Sequence, residues 1–383
     1  MTCANDSMKT DPFVVTKVLH HPHQILSWLG HRTFAPISLE LDITLACDDR
    51  CTHCTYSFAR SPRHLPLPYI EGILAEASLL GIRGLTLTGG GDPLAHPEVK
   101  RVVSAVREYR NRLAPGLYTN GSGIDSIVSA GELLDTFDWI RVSLGSMSES
   151  GFGSGGRGSR RCDRVRGIEL LASRNHARDR HCRIGVGFLT SAANACGIVP
   201  ATRLARELGV DFIQFKPMIG WDRKRAHHLS RIVDQTGVQA ELARAAEYSA
   251  GGFSVLFSVD KYDDSAPENR YDYSAYHMAW FVVAVGPSPE GPMKPTLYLD
   301  CSSKYLAPWT IGPFEQLSSI LDSPARARLI ASTSSRVFCV PSDRHAVMNT
   351  RLEAIQRRHC VQPWSHQELA ARFPGSPADP DNL

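Results

Sequence analysis

The sequence lacks both a secretory start and a membrane anchor. Its opening, MTCANDSMKTDPF, has no cationic segment leading into an apolar one, and no window approaches ~18 uninterrupted apolar residues. These absences point to a cytoplasmic protein with no membrane partner. A dominant charge of one sign is also missing. The 42 basic residues against 39 acidic ones leave a formal net charge of +3, too balanced for a protein held to nucleic acid by phosphate neutralisation. No nucleic-acid partner is expected, and a small anionic substrate stays open. With 43% hydrophobic and 21% charged residues, 30 Gly and 24 Pro, the composition excludes a collagen, a coiled coil and a disordered tail. A chain of 383 residues has room for two or three domains and needs no disulfides to hold a core. Ten cysteines in a reducing compartment are not expected to pair, so clustered ones point to metal or catalysis.

What the sequence does have is a rhythm. Short apolar runs of strand type, over residues 37–45, 84–88, 116–119, 139–144, 184–189 and 212–216, alternate with helical patterns over 68–80, 97–112, 132–137, 164–173 and 200–208. Pro68 is a favoured first helical residue. This is an α/β chain, and six βα units in the same order fit a partial (β/α)6 TIM-like barrel with a smaller C-terminal extension better than a doubly wound sheet. Either topology places a site at the C-terminal ends of the strands. The expected division is an N-terminal extension over 1–36, the barrel core over 37–220, a C-terminal region over 221–360 where the alternation fades, and a tail over 361–383, partly disordered, with Pro374, Pro377 and Pro380. The stretch SESGFGSGGRGSRR, residues 148–161, is too rich in Gly, Ser and Arg to pack and reads as a mobile loop over the site.

Directly after the first strand stand Cys47, Cys51 and Cys54 in the spacing C-x3-C-x2-C. Thiolates this close can converge on one centre. A [4Fe-4S] cluster normally takes four cysteines, so three local ones would leave one iron open to a non-protein ligand. A zinc site, a redox pair of Cys51 and Cys54, and three unconnected thiols remain alternatives at this point.

The triplet is followed after the second strand by Thr88-Gly89-Gly90-Gly91-Asp92-Pro93, then by Tyr118-Thr119-Asn120-Gly121, Arg141-Val142-Ser143-Leu144 and Phe215-Lys216-Pro217-Met218 at later strand ends. In this order the motifs resemble the radical S-adenosylmethionine superfamily over roughly residues 35–220. The resemblance implies that Cys47, Cys51 and Cys54 hold a [4Fe-4S] cluster whose fourth iron is chelated by S-adenosylmethionine, and that Gly89, Gly90 and Gly91 receive the methionine amino group. It implies that His53, where the family usually has an aromatic residue, stacks near the adenine. Asp92 stands where the family usually has Glu. Ser143 and Asn120 match polar residues that meet the cofactor, while Arg141 and Lys216 offer charges for carboxylates of cofactor or substrate. The implied chemistry is reductive cleavage of S-adenosylmethionine to a 5′-deoxyadenosyl radical that abstracts hydrogen from a substrate, with a flavodoxin- or ferredoxin-type electron donor as partner. On the residues themselves, glycines lack a β-carbon and let backbone approach a ligand closely. The loop arginines Arg157, Arg160 and Arg161 suit an anionic group. One further match, Gly151-x-Gly153-x-x-Gly156, lacks the acidic residue about 20 positions on that a nicotinamide site needs, and is set aside.

In the C-terminal region, Cys301-Ser-Ser-Lys-Tyr305, Ile311-Gly312 and Cys339-Val-Pro-Ser342 resemble an incomplete form of the extension that binds auxiliary clusters in many members of the superfamily. Leu317 and Ser342 stand where cysteines are usual, so a second cluster on Cys301, Cys339 and Cys360 is not favoured, and buried thiols are the larger expectation. Cys301, following the apolar run 297–299, is expected at the barrel mouth as a hydrogen donor to a substrate radical. Without a clear auxiliary cluster the expected substrate is a small molecule, a sugar, aminoglycoside or nucleoside in natural-product (antibiotic) biosynthesis. The overall look is similar to nucleoside-antibiotic enzymes of the cytosylglucuronate decarboxylase type, which would make this a lyase, epimerase or oxidoreductase. A ribosomal-peptide maturase would need a leader-binding domain, for which the 36 residues before Ile37 look too short. A non-catalytic iron-sulfur or zinc protein would keep the cysteines without needing Gly89 to Gly91, Asn120 and Ser143.

Overall fold

The structure is a computed structural model and describes residues 17–51, 53–145, 159–178, 182–220, 231–262, 271–338 and 344–373. The six expected strands form as β1 (Ser38–Asp42), β2 (Gly84–Thr88), β3 (Ala114–Thr119), β4 (Trp139–Ser143), β5 (Arg183–Thr190) and β6 (Phe212–Pro217). They pair in parallel in chain order. Between them run the helices Leu67–Leu80, Val99–Tyr109, Ala130–Thr136, Ser159–His176 and Ile198–Glu207. The first helix opens with Pro inside its first turn and closes on Gly81 in the left-handed region, φ 84°. Ser129 and Glu132 form a capping box on Ala130–Thr136.

A short antiparallel pair, β7 (Ile219–Gly220) with β8 (Arg231–Ile232), follows β6. The main sheet then continues beyond residue 220. β9 (Ser254–Leu256) pairs in parallel with β6, and β10 (Val282–Pro287) pairs in parallel with β1 on the other side. β11 (Pro295–Tyr298) and β12 (Thr310–Pro313) extend the sheet antiparallel beyond β10. The sheet is open, with β12 and β9 as its edges. It is a partial TIM-like barrel whose C-terminal region supplies sheet rather than a separate layer. The sequence hid this because β9 is three residues long and its burial is only partial.

Alternation along the strands sorts the two faces. Leu39, Leu41, Leu85, Leu87, Leu117, Ile140 and Val142 pack outward with Ile70, Leu74, Val102, Val106 and Leu133 of the helices in one buried cluster. On the inner face, glycine faces a large side chain on the neighbouring strand. A β-carbon on Gly116 would stand 1.8 Å from the Trp139 indole, and one on Gly185 would stand 2.0 Å from the Phe212 ring. A second cluster joins Val18, Leu19, Ile25 and Trp28 near the N-terminus to Tyr273, Tyr276, Phe281, Phe338, Leu352 and Trp364. The expected extensions at either end of the chain thus share a core. Within the expected mobile stretch, residues 159–161 belong to the helix Ser159–His176, and residues 148–158, with Arg157 and the rejected glycine motif, lie outside the described residues. Phe373 packs at the edge of the second cluster rather than opening a loose tail, and residues 374–383 lie outside the description.

Two glycine substitutions should move stability in opposite directions. Gly185→Ala overpacks the barrel interior and should destabilise by about 1–3 kcal/mol. Gly72→Ala, on the exposed side of the helix Leu67–Leu80 with nothing within 4 Å of the added carbon, should stabilise by about 0.4–1 kcal/mol. Urea unfolding of the two variants measures both signs.

Candidate active site

The loop that follows β1 carries Cys47, Cys51 and Cys54, each half-buried and none in a disulfide. It has no regular secondary structure, so its shape is set by what it is tied to. Ala46 N–H donates to the Thr44 hydroxyl at 3.0 Å, and Asp49 N–H donates to the Cys47 sulfur at 3.4 Å. From β2, Gly91 N–H donates to Thr44 O at 3.1 Å and Asp92 N–H to Ala46 O at 2.8 Å. From the end of β3, the Asn120 side-chain amide donates to Asp48 at 2.7 Å and to Asp49 at 3.2 Å. Arg164, buried in the helix after β4, pairs with Asp49.

The three thiols line a cavity of about 310 Å³, and with them stand His53, Gly89, Gly90, Gly91, Asp92, Asn120, Ser143 and Lys216. These are the residues singled out by the motifs, brought to one place by the parallel order of the strands. Their parts differ from one another. Asp92 is buried and turned inward, and it accepts from Leu94 N–H at 2.9 Å, Asn120 N–H at 2.5 Å and the Thr119 hydroxyl at 3.0 Å. Burial pushes its carboxyl up to about 6 against the pull of those donors. It fastens β2 to β3, and its shorter reach than Glu suits that role. The glycines serve the protein as well as the cavity. A β-carbon on Gly91 would stand 1.8 Å from Ala46 O, and one on Gly90 would stand 2.7 Å from both Leu45 and the Tyr305 ring. These glycines let the second-strand loop lie directly on the cysteine loop.

Electrostatics set the character of the cavity. Burial, with Arg164 nearby, lowers the His53 pKa, which favours a neutral ring. Burial pushes the Cys47 thiol up to about 12 and the Cys51 thiol up to about 11, with nearby carboxylates adding to both. A cationic centre beside Cys47 and Cys51 would favour their thiolates. On a tetrahedral zinc the three sulfurs would share one metal at about 2.3 Å each, whereas in a [4Fe-4S] cluster each thiolate meets a different iron.

Gln214 and Tyr56 carried no sequence signal, whereas Arg141, Tyr118, Lys304 and Tyr305 stand in the motifs. Arg141 lies 3.9 Å over the Tyr118 ring and donates to Gln214 at 2.5 Å, and all three line the cavity. Tyr56 also lines it, and its hydroxyl donates to Cys301 O. Lys304 and Tyr305, from the loop after β11, reach the inner face of β1. The ammonium meets Glu40 at 2.6 Å and Asp42 at 2.7 Å, and the phenol donates to Asp42. Burial works against the Lys304 charge, but Asp42 and Glu40 hold its pKa well above the usual range. Cys301 itself is not among the residues lining the cavity, contrary to its expected place at the barrel mouth. The chain turns away after β11, and the thiol faces Asp300 and His345. Cys360 is exposed on the helix Arg344–Val361, and Cys339 lies outside the described residues.

A three-thiol loop stands at the C-terminal ends of the strands of an open parallel barrel. Residues 41–189 match the family model of the Radical SAM superfamily. The chain carries a radical SAM domain over that stretch, and members of that superfamily are enzymes that use a [4Fe-4S] cluster and S-adenosylmethionine. No curated protein matches it. Among solved structures, Streptococcus suis SuiB bound to S-adenosylmethionine is 12% identical, with a TM-score of 0.57 over 81% of this chain and 71% of that one. SuiB bound to the precursor peptide SuiA is 15% identical, with a TM-score of 0.55 over 82% and 70%. The protein anSMEcpe with AdoMet and the Cp18Cys peptide is 13% identical, with a TM-score of 0.51 over 88% and 96%. At such identities the likeness is one of fold. Among the described residues no helix is long and apolar enough to cross a membrane.

Gly91→Ala should displace the Ala46 carbonyl and with it the thiol loop. The variant is expected to lose most of its iron after anaerobic reconstitution while its circular dichroism spectrum stays that of the parent; full iron with normal cofactor binding would show that this glycine does not set the loop.

Proposed function

We propose that this radical SAM enzyme acts on a small polar molecule of the sugar, aminoglycoside or nucleoside class in natural-product tailoring, by decarboxylation, epimerisation or a related radical step, and that a sugar or nucleoside bearing a carboxylate fits best. The observation that carries this reading is the pair of cations, Arg141 and Lys216, that line the same cavity as the thiols. When bound, the cluster and S-adenosylmethionine supply a 5′-deoxyadenosyl radical that removes a hydrogen atom from carbon.

The chain's own work is to hold the substrate. The Arg141 guanidinium is fixed beneath by Tyr118 and from the side by Gln214, so a planar carboxylate can be met in a fixed orientation with little further ordering. Lys216, at the end of β6, offers a second, more pliant charge. Ser143 at the end of β4 presents a hydroxyl for a cofactor or substrate oxygen, and His53 offers an aromatic face. Gly89 and its neighbours leave main-chain groups accessible beside the thiols. A flavodoxin- or ferredoxin-type protein is the expected electron source.

Anaerobic incubation with dithionite, S-adenosylmethionine and a panel of sugar nucleosides, aminoglycosides and peptides tests the reading, with 5′-deoxyadenosine and substrate mass as readouts. A carboxylated sugar or nucleoside should be consumed, and Arg141→Met should raise its KM by about tenfold or more while 5′-deoxyadenosine still forms. Turnover of peptides alone would overturn the small-substrate reading in favour of peptide maturation.

A further inference from the structure

Away from the thiol loop, three side chains of metal-binding type meet where the loop after β11 touches the start of the helix Arg344–Val361. One donor atom each from Asp300, Cys301 and His345 lies within 4.8 Å of the other two. The Asp300 carboxylate faces the His345 Nδ1, and the Cys301 sulfur lies 3.7 Å from the other carboxylate oxygen. Asp300 and His345 are buried, while Cys301 is half-buried.

We propose that Asp300, Cys301 and His345 bind a single divalent metal ion of the zinc type, which pins the helix Arg344–Val361 to the loop behind the cavity wall. The donor set is the first argument. One carboxylate oxygen, one sulfur and one imidazole nitrogen suit a tetrahedral zinc with three protein ligands and a fourth position open on the exposed side of Cys301. They do not suit a [4Fe-4S] cluster, which takes thiolates. Cys360 cannot supply another. It stands 15 residues after His345 on one continuous helix, about 22 Å along the axis at 1.5 Å per residue.

Charge is the second argument. A carboxylate, a thiolate and a neutral imidazole around a divalent cation sum to zero, the balance a buried site requires. The nearby Lys304 ammonium does not supply that balance, because Glu40 and Asp42 already hold it. On binding, the Cys301 thiol gives its proton to solvent, so affinity should fall as pH falls. The ligands are also held from behind. Ser302 N–H donates to the Asp300 carboxylate at 2.7 Å, and its hydroxyl donates there too. The Tyr56 hydroxyl holds the Cys301 carbonyl, so outer contacts orient the set. A metal-bound thiolate carries no S–H bond, and this assignment replaces the hydrogen-donor role expected of Cys301.

The site is separate from the cluster loop and does not depend on the proposed substrate, so it is tested in full-length protein in which Cys47, Cys51 and Cys54 are all replaced by Ala. Titrated with zinc, that protein should bind about one equivalent per chain, and cobalt in its place should give a thiolate-to-cobalt charge-transfer band. Cys301→Ser and His345→Gln, added singly, should each weaken zinc binding at least about tenfold, whereas Cys360→Ser should leave it unchanged. Zinc bound at far below one equivalent, a cobalt complex without the thiolate band, or iron with acid-labile sulfide in the triple variant would each overturn the assignment. The cobalt spectrum needs no further substitution, so misfolding of a ligand variant does not blunt the test.

Discussion

The structure depends on holding an irregular loop still. The three thiols, Cys47, Cys51 and Cys54, are carried by a segment with no helix or strand of its own. Its rigidity comes from two adjacent carboxylates, Asp48 and Asp49. The Asn120 amide from the end of β3 donates to both, and the Arg164 guanidinium from the helix after β4 pairs with Asp49. Arg164 and Asp49 are buried, so breaking this pair by removing one member should cost about 3–5 kcal/mol. The fastening is electrostatic, and it binds the loop to the end of β3 and to the helix after β4 at once.

The same loop is held from the other side by the C-terminal region. Tyr305 sits in the left-handed region at φ 70°, a conformation that costs a non-glycine residue about 1–3 kcal/mol. Its surroundings compensate: the phenol reaches Asp42, the ring packs against Gly90, and Lys304 beside it pairs with both Glu40 and Asp42. The glycine run of the second strand thus stands between the cysteine loop and the C-terminal region. A change at Tyr305 would reach the cofactor pocket through Gly90 without touching a cofactor.

Much of the barrel was legible in the chain because its signals are local. The Gly84–Thr88 strand has the bounds its apolar run suggests, and Pro68 and Gly81 mark the ends of a helix by their backbone limits alone. The cysteine spacing and the glycine run stood out because few folds need either. Less legible was whatever depends on distant partners. Val282 to Val285 gives no hint that it lies beside β1, and Arg164 reads as one arginine among many in a basic stretch. Asp92 stands where the family usually has Glu, and nothing in the sequence showed that its carboxylate accepts from Leu94, Thr119 and Asn120. Cys301 read as a residue of the mouth because it follows an apolar run, yet the turn after β11 carries its sulfur to Asp300 and His345 instead.

The account stands on the three loop thiols holding a cluster with one iron open to S-adenosylmethionine. Electron–nuclear double resonance on the anaerobically reconstituted, reduced protein measures this directly, using S-adenosylmethionine labelled with 15N at its amino group. Coupling between the label and the cluster spin is the predicted result, and it should vanish when Cys51 is replaced by Ala. A reduced cluster whose spectrum is unchanged by the labelled compound, or a protein that takes up zinc alone at this loop, would contradict the account.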